Sequence, residues 1–274
     1  MKVLFTILIS VALLLNVSPL SAEEKIVIDG STTVGPIAKA FAEYYMKQNP
    51  GVNITVSESG SGNGAKSLIN GGCDIADMSR FMKGKEFKAA VEKGIFPVAH
   101  VVALDGIAMI VHPSNPVGEI TMAKIKDIYT GKITNWKDIG GPDKKIVMIS
   151  RDTNSGTYET FEKLVMKKEK IVEGAEYVGS NGAVRSRVQN TPGAIGYVGL
   201  GFLDKTVKGL KVNSIYPTLQ TISTGTYPIA RPLFMFTNGY PKMGSGIYQF
   251  VTIHLSETGQ KIVKRIGFVP VTSY

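Results

Sequence analysis

Three times along this chain a short apolar run ends in a turn of glycine and hydroxyl residues, and a helical pattern follows at once. The pairs are "KIVI" then "PIAKAFAEYYMKQ", "VNITVS" then "GAKSLING", and "KIVMIS" then "TYETFEKLVMKK". A strand-like run that gives way to a 3.6-residue period, repeated in this manner, argues for an α/β architecture. Ile37, Phe41, Tyr44 and Tyr45 fall at helical spacing, as do Tyr158, Phe161, Leu164 and Val165, and these residues are assigned to the core.

The chain has 274 residues, of which 43% are hydrophobic, enough for a well-packed core and more naturally for two lobes than one. No fixed-period repeat or low-complexity linker separates such lobes, so the division must come from strands that cross between them. Two extended apolar runs suit that role, "GIAMIVHP" at 106–113 and "IARPLFMF" at 229–236. If the chain leaves the first lobe in one and returns in the other, the first lobe is discontinuous. It comprises 23–108 with 234–274, and the second lobe comprises 109–233. Residues 1–22 read as a secretory signal: Lys2 is the positive start, Val3 to Val17 is mostly apolar, and Pro19-Leu20-Ser21-Ala22 offers cleavage near Ala22. Its apolar part falls short of the roughly 20 residues a spanning helix needs, and it has no cysteine for lipid attachment. The expected product is free in the periplasm or secreted. Cys73 is the only cysteine, which excludes an internal disulfide and a thiolate zinc cluster and leaves it the role of a small buried residue.

The strand-to-helix turns carry the chemistry. "IDGSTTVGP" at 28–36 is a strand end, Gly30, three hydroxyl residues and a helix opened by Pro36, whose missing N–H is not needed in a first turn. "SESGSGNGAK" at 57–66 repeats the composition, and "RDTNSGTYETF" at 151–161 adds Arg151 at its entrance. Glycine lets the backbone approach closely and turn its N–H groups outward, and a helix start carries partial positive charge, so each turn suits the oxygens of an anion. Helix capping explains any one such turn; three in one chain, one with an arginine, point to a shared anion site. An exposed helix terminus contributes only about 0.3 to 1 kcal/mol, against about 1.5 to 3 for a hydrogen bond to a charged partner. Enclosure between two lobes, which excludes competing water, is therefore the arrangement that makes such donors effective. Arg151 is the charge partner, because a planar guanidinium grips two oxygens of a tetrahedral oxyanion, and Arg80 in "DIADMSR" is a weaker second candidate.

Other chemistries fit less well. The formal net charge of +9 favours anionic partners by steering. The basic residues are scattered, however, and runs such as Lys144-Lys145 and Lys167-Lys168 lack the aromatic interleaving of a nucleic-acid surface. "GSGNGAKS" at 60–67 approaches a nucleotide P-loop, but Ala65 stands where the second glycine belongs. His100, His112 and His254 have no metal spacing, no G-x-S-x-G elbow is present, and no base is placed beside a serine. No metal or cofactor is expected.

With these residues in view, the chain resembles the substrate-binding proteins of phosphate-specific ABC transporters. The resemblance rests on "DGSTTVGPIAKAF", "SGSGNGAKSLINGGCDIADMSR", "IKDIYTGKITNWKDIGG", "SRDTNSGTYETF" and "GSNGAVRSRVQNTPGAIGYVG", which together extend over nearly all of the mature sequence. It implies a two-lobed periplasmic-binding-protein fold of type II, with two crossover strands as hinge and inorganic phosphate held between the lobes. It also implies a monomer that delivers phosphate to permease subunits in the inner membrane and catalyses nothing. The family's binding pattern falls on Thr32 and Thr33 of the first turn, Ser61 of the second, and Arg151, Ser155, Gly156 and Thr157 of the third, with Ser31 adjacent. One position departs: Ser79 stands where relatives carry an aspartate that accepts a hydrogen bond from the protonated ligand, and Asp77, Asp152 or Asp29 could replace it. The departure bears on selectivity, because phosphate near neutral pH has a proton to donate and sulfate has none. A receptor for another oxyanion such as sulfate, a secreted phosphatase and a transporter-independent sensor are the alternatives.

Overall fold

A computed structural model describes residues 24–272, and the expected signal segment lies outside them. The first strand–helix units are β1 (Glu24–Gly30), α1 (Gly35–Gln48), β2 (Val52–Ser57), α2 (Ser61–Ile69), β3 (Ile75–Met78) and α3 (Gly84–Glu92). β1 runs parallel between β2 and β3, with Ile28 opposite both Val56 and Ile75. Pro36 sits in the first turn of α1, and the helix buries Ile37, Ala38, Phe41, Ala42 and Tyr45, the stripe that a 3.6-residue period places on one face. That stripe packs on Ile26, Ile28 and Phe250 as one core. Tyr44, Tyr158 and Leu164, expected in the core, are only partly buried, Tyr44 against this core and Tyr158 and Leu164 against that of the other half.

The chain continues through β4 (Pro97–Val111), β5 (Glu119–Ile120), α4 (Met122–Tyr129), β6 (Val147–Arg151), α5 (Gly156–Phe161), β7 (Glu176–Val178), α6 (Asn181–Gln189), β8 (Ala194–Gly199), β9 (Lys208–Gly209), β10 (Lys211–Val212) and α7 (Leu219–Ser223). It returns through β11 (Ala230–Asn238) to α8 (Gly246–Val251) and α9 (Glu257–Arg265). The main sheet is ordered β2-β1-β3-β11-β4-β8-β6-β7, with β9 on β4. β4 joins its two halves. As far as Gly106 it pairs antiparallel with β11, and from Ile107 to Val111 it pairs antiparallel with β8. β11 begins at the same point, with Ala230 opposite Gly106.

The two halves have separate cores. One gathers around Ile28, Phe41 and Phe250, the other around Tyr129, Trp136, Phe161 and Tyr197, where Phe161 and Tyr197 stack with centroids 4.0 Å apart. This is the two-lobed α/β arrangement with strands as the connections. β4 extends back to Pro97, beyond the run that sequence alone marks at 106–113, because its earlier residues find their partners on β11. Cys73 is buried as expected. No helix of the described residues is long and apolar enough to cross a membrane.

Candidate anion-binding site

Each of the three turns is built by backbone constraints before any side chain is considered. Gly30 ends β1 with φ +139°, and a Cβ there would lie 2.2 Å from the Asp77 carbonyl oxygen. Only glycine lets the strand turn so close to β3. Ser31 N–H donates to that carbonyl at 2.8 Å, and Ser31 Oγ accepts from Thr33 N–H at 3.1 Å. The second turn hangs from the first through Gly60 N–H to the Gly30 carbonyl at 2.6 Å, and Gly62 N–H donates to the Asn154 carbonyl in the third turn at 2.9 Å. In the third, Ser155 Oγ caps α5 by accepting from Tyr158 N–H at 3.2 Å. Gly156 approaches so closely that a Cβ would lie 2.5 Å from Ser61 Oγ and 2.7 Å from Ser79 Oγ. Turns that are remote in sequence, and that come from opposite halves of the sheet, thus meet at one point.

Ser31, Thr32, Thr33, Gly60, Ser61, Arg151, Ser155, Gly156 and Thr157 line a single narrow space between the turns. Ser79 stands at its edge, its backbone N–H donating to Ser61 Oγ at 3.0 Å and its hydroxyl 3.3 Å from the same oxygen. The structure therefore brings together Arg151 and the glycine and hydroxyl residues singled out from sequence for ligand contact, but not Arg80. The N–H groups of Ser61, Gly156 and Thr157, in the first turns of α2 and α5, have no partner within their helices and belong to residues of this lining.

Arg151 supplies the charge. It is 1% exposed; its Nε donates to the Val178 carbonyl at 3.2 Å and its Nη2 to the Gly179 carbonyl at 2.9 Å. Its Nη1 is buried and has no hydrogen-bond partner among the described residues. Burial pulls the guanidinium down to about 10, with the nearby Asp152 carboxylate opposing the shift. A buried charged donor left unmade is costly, and an oxyanion in the enclosed space would complete it.

No carboxylate lines the space. Of the alternatives to Ser79, Asp29 accepts from Ser59 Oγ at 2.7 Å and Asp152 from Asn154 N–H at 2.8 Å. Asp77 is fully buried with both carboxylate oxygens unpartnered among the described residues. Burial, assisted by the Glu58 and Asp29 charges, pushes its carboxyl well above the usual carboxylate range. Arg80 is not at the site: it forks onto Glu86 at 2.8 and 2.7 Å and pairs with Glu159.

Three residues of this region escape sequence reasoning. Asn181 Nδ2 donates to Thr32 Oγ1 at 3.0 Å and Thr33 Oγ1 at 2.9 Å. Arg231 pairs with Asp105 at 2.9 Å and also donates to Thr157 Oγ1 at 2.9 Å. Burial pushes the Asp105 carboxyl up and the Arg231 guanidinium down, and each countercharge opposes the other's shift. A signal existed, because each of the two crossover strands carries one charged residue inside an otherwise apolar stretch, of opposite sign in the two.

A two-lobed α/β chain with a buried cluster of hydroxyl, amide and guanidinium donors at the junction of its lobes defines an oxyanion-binding protein of the periplasmic-binding-protein class, and residues 17–257 match a profile of the PBP superfamily domain. The chain is 35% identical to the phosphate-binding protein PstS of Borreliella burgdorferi over 98% of both chains. It is also 35% identical to the PstS of Bacillus subtilis, over 92% of this chain and 82% of that one. Among solved structures, a Clostridium perfringens phosphate ABC transporter substrate-binding protein with bound phosphate is similar with TM-score 0.85 and 36% identity, over 91% of this chain and 100% of that one. This chain belongs to the family of phosphate-specific ABC transporter substrate-binding proteins.

Proposed function

We propose that this protein binds inorganic phosphate between its lobes and delivers it to an ABC permease for import. The observation that carries this reading is the unpartnered Nη1 of Arg151, buried in a space that three donor turns close from both sides. Thr32, Ser61, Ser155 and one member of the mutually bonded pair Thr33 and Thr157 supply hydroxyl donors, the turn amides of Ser61, Gly156 and Thr157 supply N–H groups, and Ser31 completes the rim. Ser79 Oγ accepts a hydrogen bond from the P–OH of hydrogen phosphate, while its own hydroxyl donates to Ser61 Oγ, 3.3 Å away. The lobes are 23–108 with 234–274, and 109–233, so that closing them upon each other about β4 and β11 buries the anion.

The working form is a monomer in the periplasm, released by cleavage near Ala22, and the inner-membrane permease subunits are its partners. No catalytic role is proposed; the hydroxyls of Ser31, Ser61 and Ser155 are engaged by backbone amides and by Ser79.

Calorimetric titration of the mature chain tests the reading. Phosphate is expected to bind one to one and saturably, and sulfate at least tenfold more weakly. Absence of phosphate binding would overturn the function, and equal binding of sulfate would overturn the role given to Ser79.

A further inference from the structure

The hydroxyls that line the anion space do not face it alone. Each is already engaged from behind by an N–H group that has no alternative but to donate. Ser31 accepts from Thr33 N–H at 3.1 Å, Ser61 from Ser79 N–H at 3.0 Å and Ser155 from Tyr158 N–H at 3.2 Å. Thr32 and Thr33 accept from Asn181 Nδ2, and the orientation of that amide is fixed because Asn181 Oδ1 accepts from Gly199 N–H at 3.1 Å. Thr157 accepts from Arg231 Nη2 at 2.9 Å, and Thr33 from the same nitrogen at 3.4 Å. Thr33 and Thr157 are themselves 3.0 Å apart.

With their lone pairs occupied in this way, the two threonine hydroxyls form a chain that can end only by giving a proton outward. The charge at the head of the chain polarises every bond after it. Arg231 is buried and held on three sides, by Asp105 Oδ2, the Ser79 carbonyl at 3.0 Å and Thr157. It sits one residue into β11, opposite Asp105 and next to the point where β4 changes partners from β11 to β8. It lies in the first crossover position of the returning strand, yet its Nη2 reaches hydroxyls on both sides of the space.

We propose that Arg231 is a positioning residue for anion binding, which turns the Thr157 and Thr33 hydroxyls into obligate donors and thereby extends a second positive charge to the ligand without touching it. The inference rests on the phosphate-binding reading above and adds a residue to it. Asp105 keeps this charge from binding the anion itself: it holds the guanidinium in the hinge, so that Arg151 remains the direct partner and Arg231 acts one hydroxyl away.

The test is a double-mutant cycle read by phosphate titration. Four proteins are compared: the parent; Thr157→Val; Arg231→Met with Asp105→Asn, which leaves no buried carboxylate unpaired; and the combination of all three substitutions. In the parent background the Arg231→Met/Asp105→Asn pair is expected to weaken phosphate binding about tenfold or more, the size of a lost hydrogen bond from a charged donor. In the Thr157→Val background the same pair is expected to cost less than about threefold, because the hydroxyl it acts through is already gone. An equal loss in both backgrounds would mean a general structural effect and would overturn the proposal, as would unchanged affinity in the parent background. Melting curves establish that each variant is folded. If the Met/Asn pair does not fold, Arg231→Lys carries the test, since an ammonium can keep Asp105 but lacks the fork that reaches Thr157 as well; tight binding by Arg231→Lys would then overturn the proposal. A parent that does not bind phosphate would remove the underlying reading and this inference together, whereas a parent that binds beside an indifferent pair variant would remove this inference alone.

Discussion

Arg151 and Arg80 are both buried arginines where a β-strand hands over to a helix, and their surroundings are opposite. Arg80, in the connection from β3 to α3, forks onto Glu86 and has Glu159 2.8 Å from its Nε, so both carboxylates neutralise it even though that nitrogen makes no aligned hydrogen bond. Burial works against its charge, the two carboxylates outweigh that penalty, and its pKa is raised. Arg151, at the turn from β6 to α5, has carbonyl partners for Nε and Nη2, none for Nη1, and its nearest carboxylate is 4.0 Å away. Its pKa falls to about 10 because burial wins. The difference teaches that burial of a guanidinium is not the mark of a ligand site; a leftover donor inside an enclosed, carboxylate-free lining is. Arg80 binds the two halves of the molecule together at Glu159, which Lys83 also reaches at 2.7 Å, while Arg151 keeps Nη1 without a partner among the described residues.

The largest expected effect falls on Arg151. Arg151→Met should weaken phosphate binding by at least about 2 kcal/mol, roughly thirtyfold, because the ligand's charge is left without its buried partner; calorimetry reads this directly, and near-parental affinity would erase the contrast. Next comes Asn181→Leu, which strips Thr32 and Thr33 of the amide that orients them. It should cost about 1 to 2 kcal/mol in phosphate affinity with a smaller change in melting temperature of the ligand-free protein, and the two readouts together separate orientation from folding.

Asp77 sharpens the comparison, since it too is buried and unpartnered but lies outside the anion space. Its folded carboxyl holds its proton to higher pH than the ordinary value of 3.8. The folded state therefore binds more protons above that pH, and stability contributed by this residue falls as pH rises through the window. Asp77→Asn should leave phosphate affinity unchanged and raise the melting temperature by a few degrees at pH 8, the shift that about 1 kcal/mol produces in a chain of this size, with the advantage vanishing near pH 3. An affinity loss in that variant would mean that Asp77, not Ser79, accepts the hydrogen bond from the protonated ligand. The smallest effect is expected for Glu159→Gln, which loosens the Arg80 clasp but leaves Glu86 in place. Phosphate affinity should fall by less than about 1 kcal/mol and its salt dependence should weaken, as measured by titration at two ionic strengths.

The alternation of runs and helices made the α/β class legible, and the glycine-hydroxyl composition of three turns made the anion site legible, because both are local patterns. What local pattern could not supply was register. Asp105 and Arg231 are separated by more than a hundred residues and become partners only because β4 and β11 pair antiparallel with those two positions opposed. Asn181 meets Thr32 and Thr33 only when the start of α6 is brought against the β1 turn. Arg80 misleads in the same way: its sequence context resembles that of a ligand residue, and the carboxylates that neutralise it are visible only once α3 and α5 are in place. The capping and ligand readings of Ser155 also prove compatible, since its oxygen caps Tyr158 N–H while its proton stays free.

The most direct measurement is a crystal structure of the mature chain grown with phosphate. Tetrahedral density is expected in the space between the β1, α2 and α5 turns, with one oxygen within hydrogen-bonding distance of Arg151 Nη1 and others on Ser155, Thr157 and Thr32. Phosphate seated elsewhere on the molecule, or a lining still empty at saturating ligand with Nη1 turned to an internal carboxylate, would contradict it.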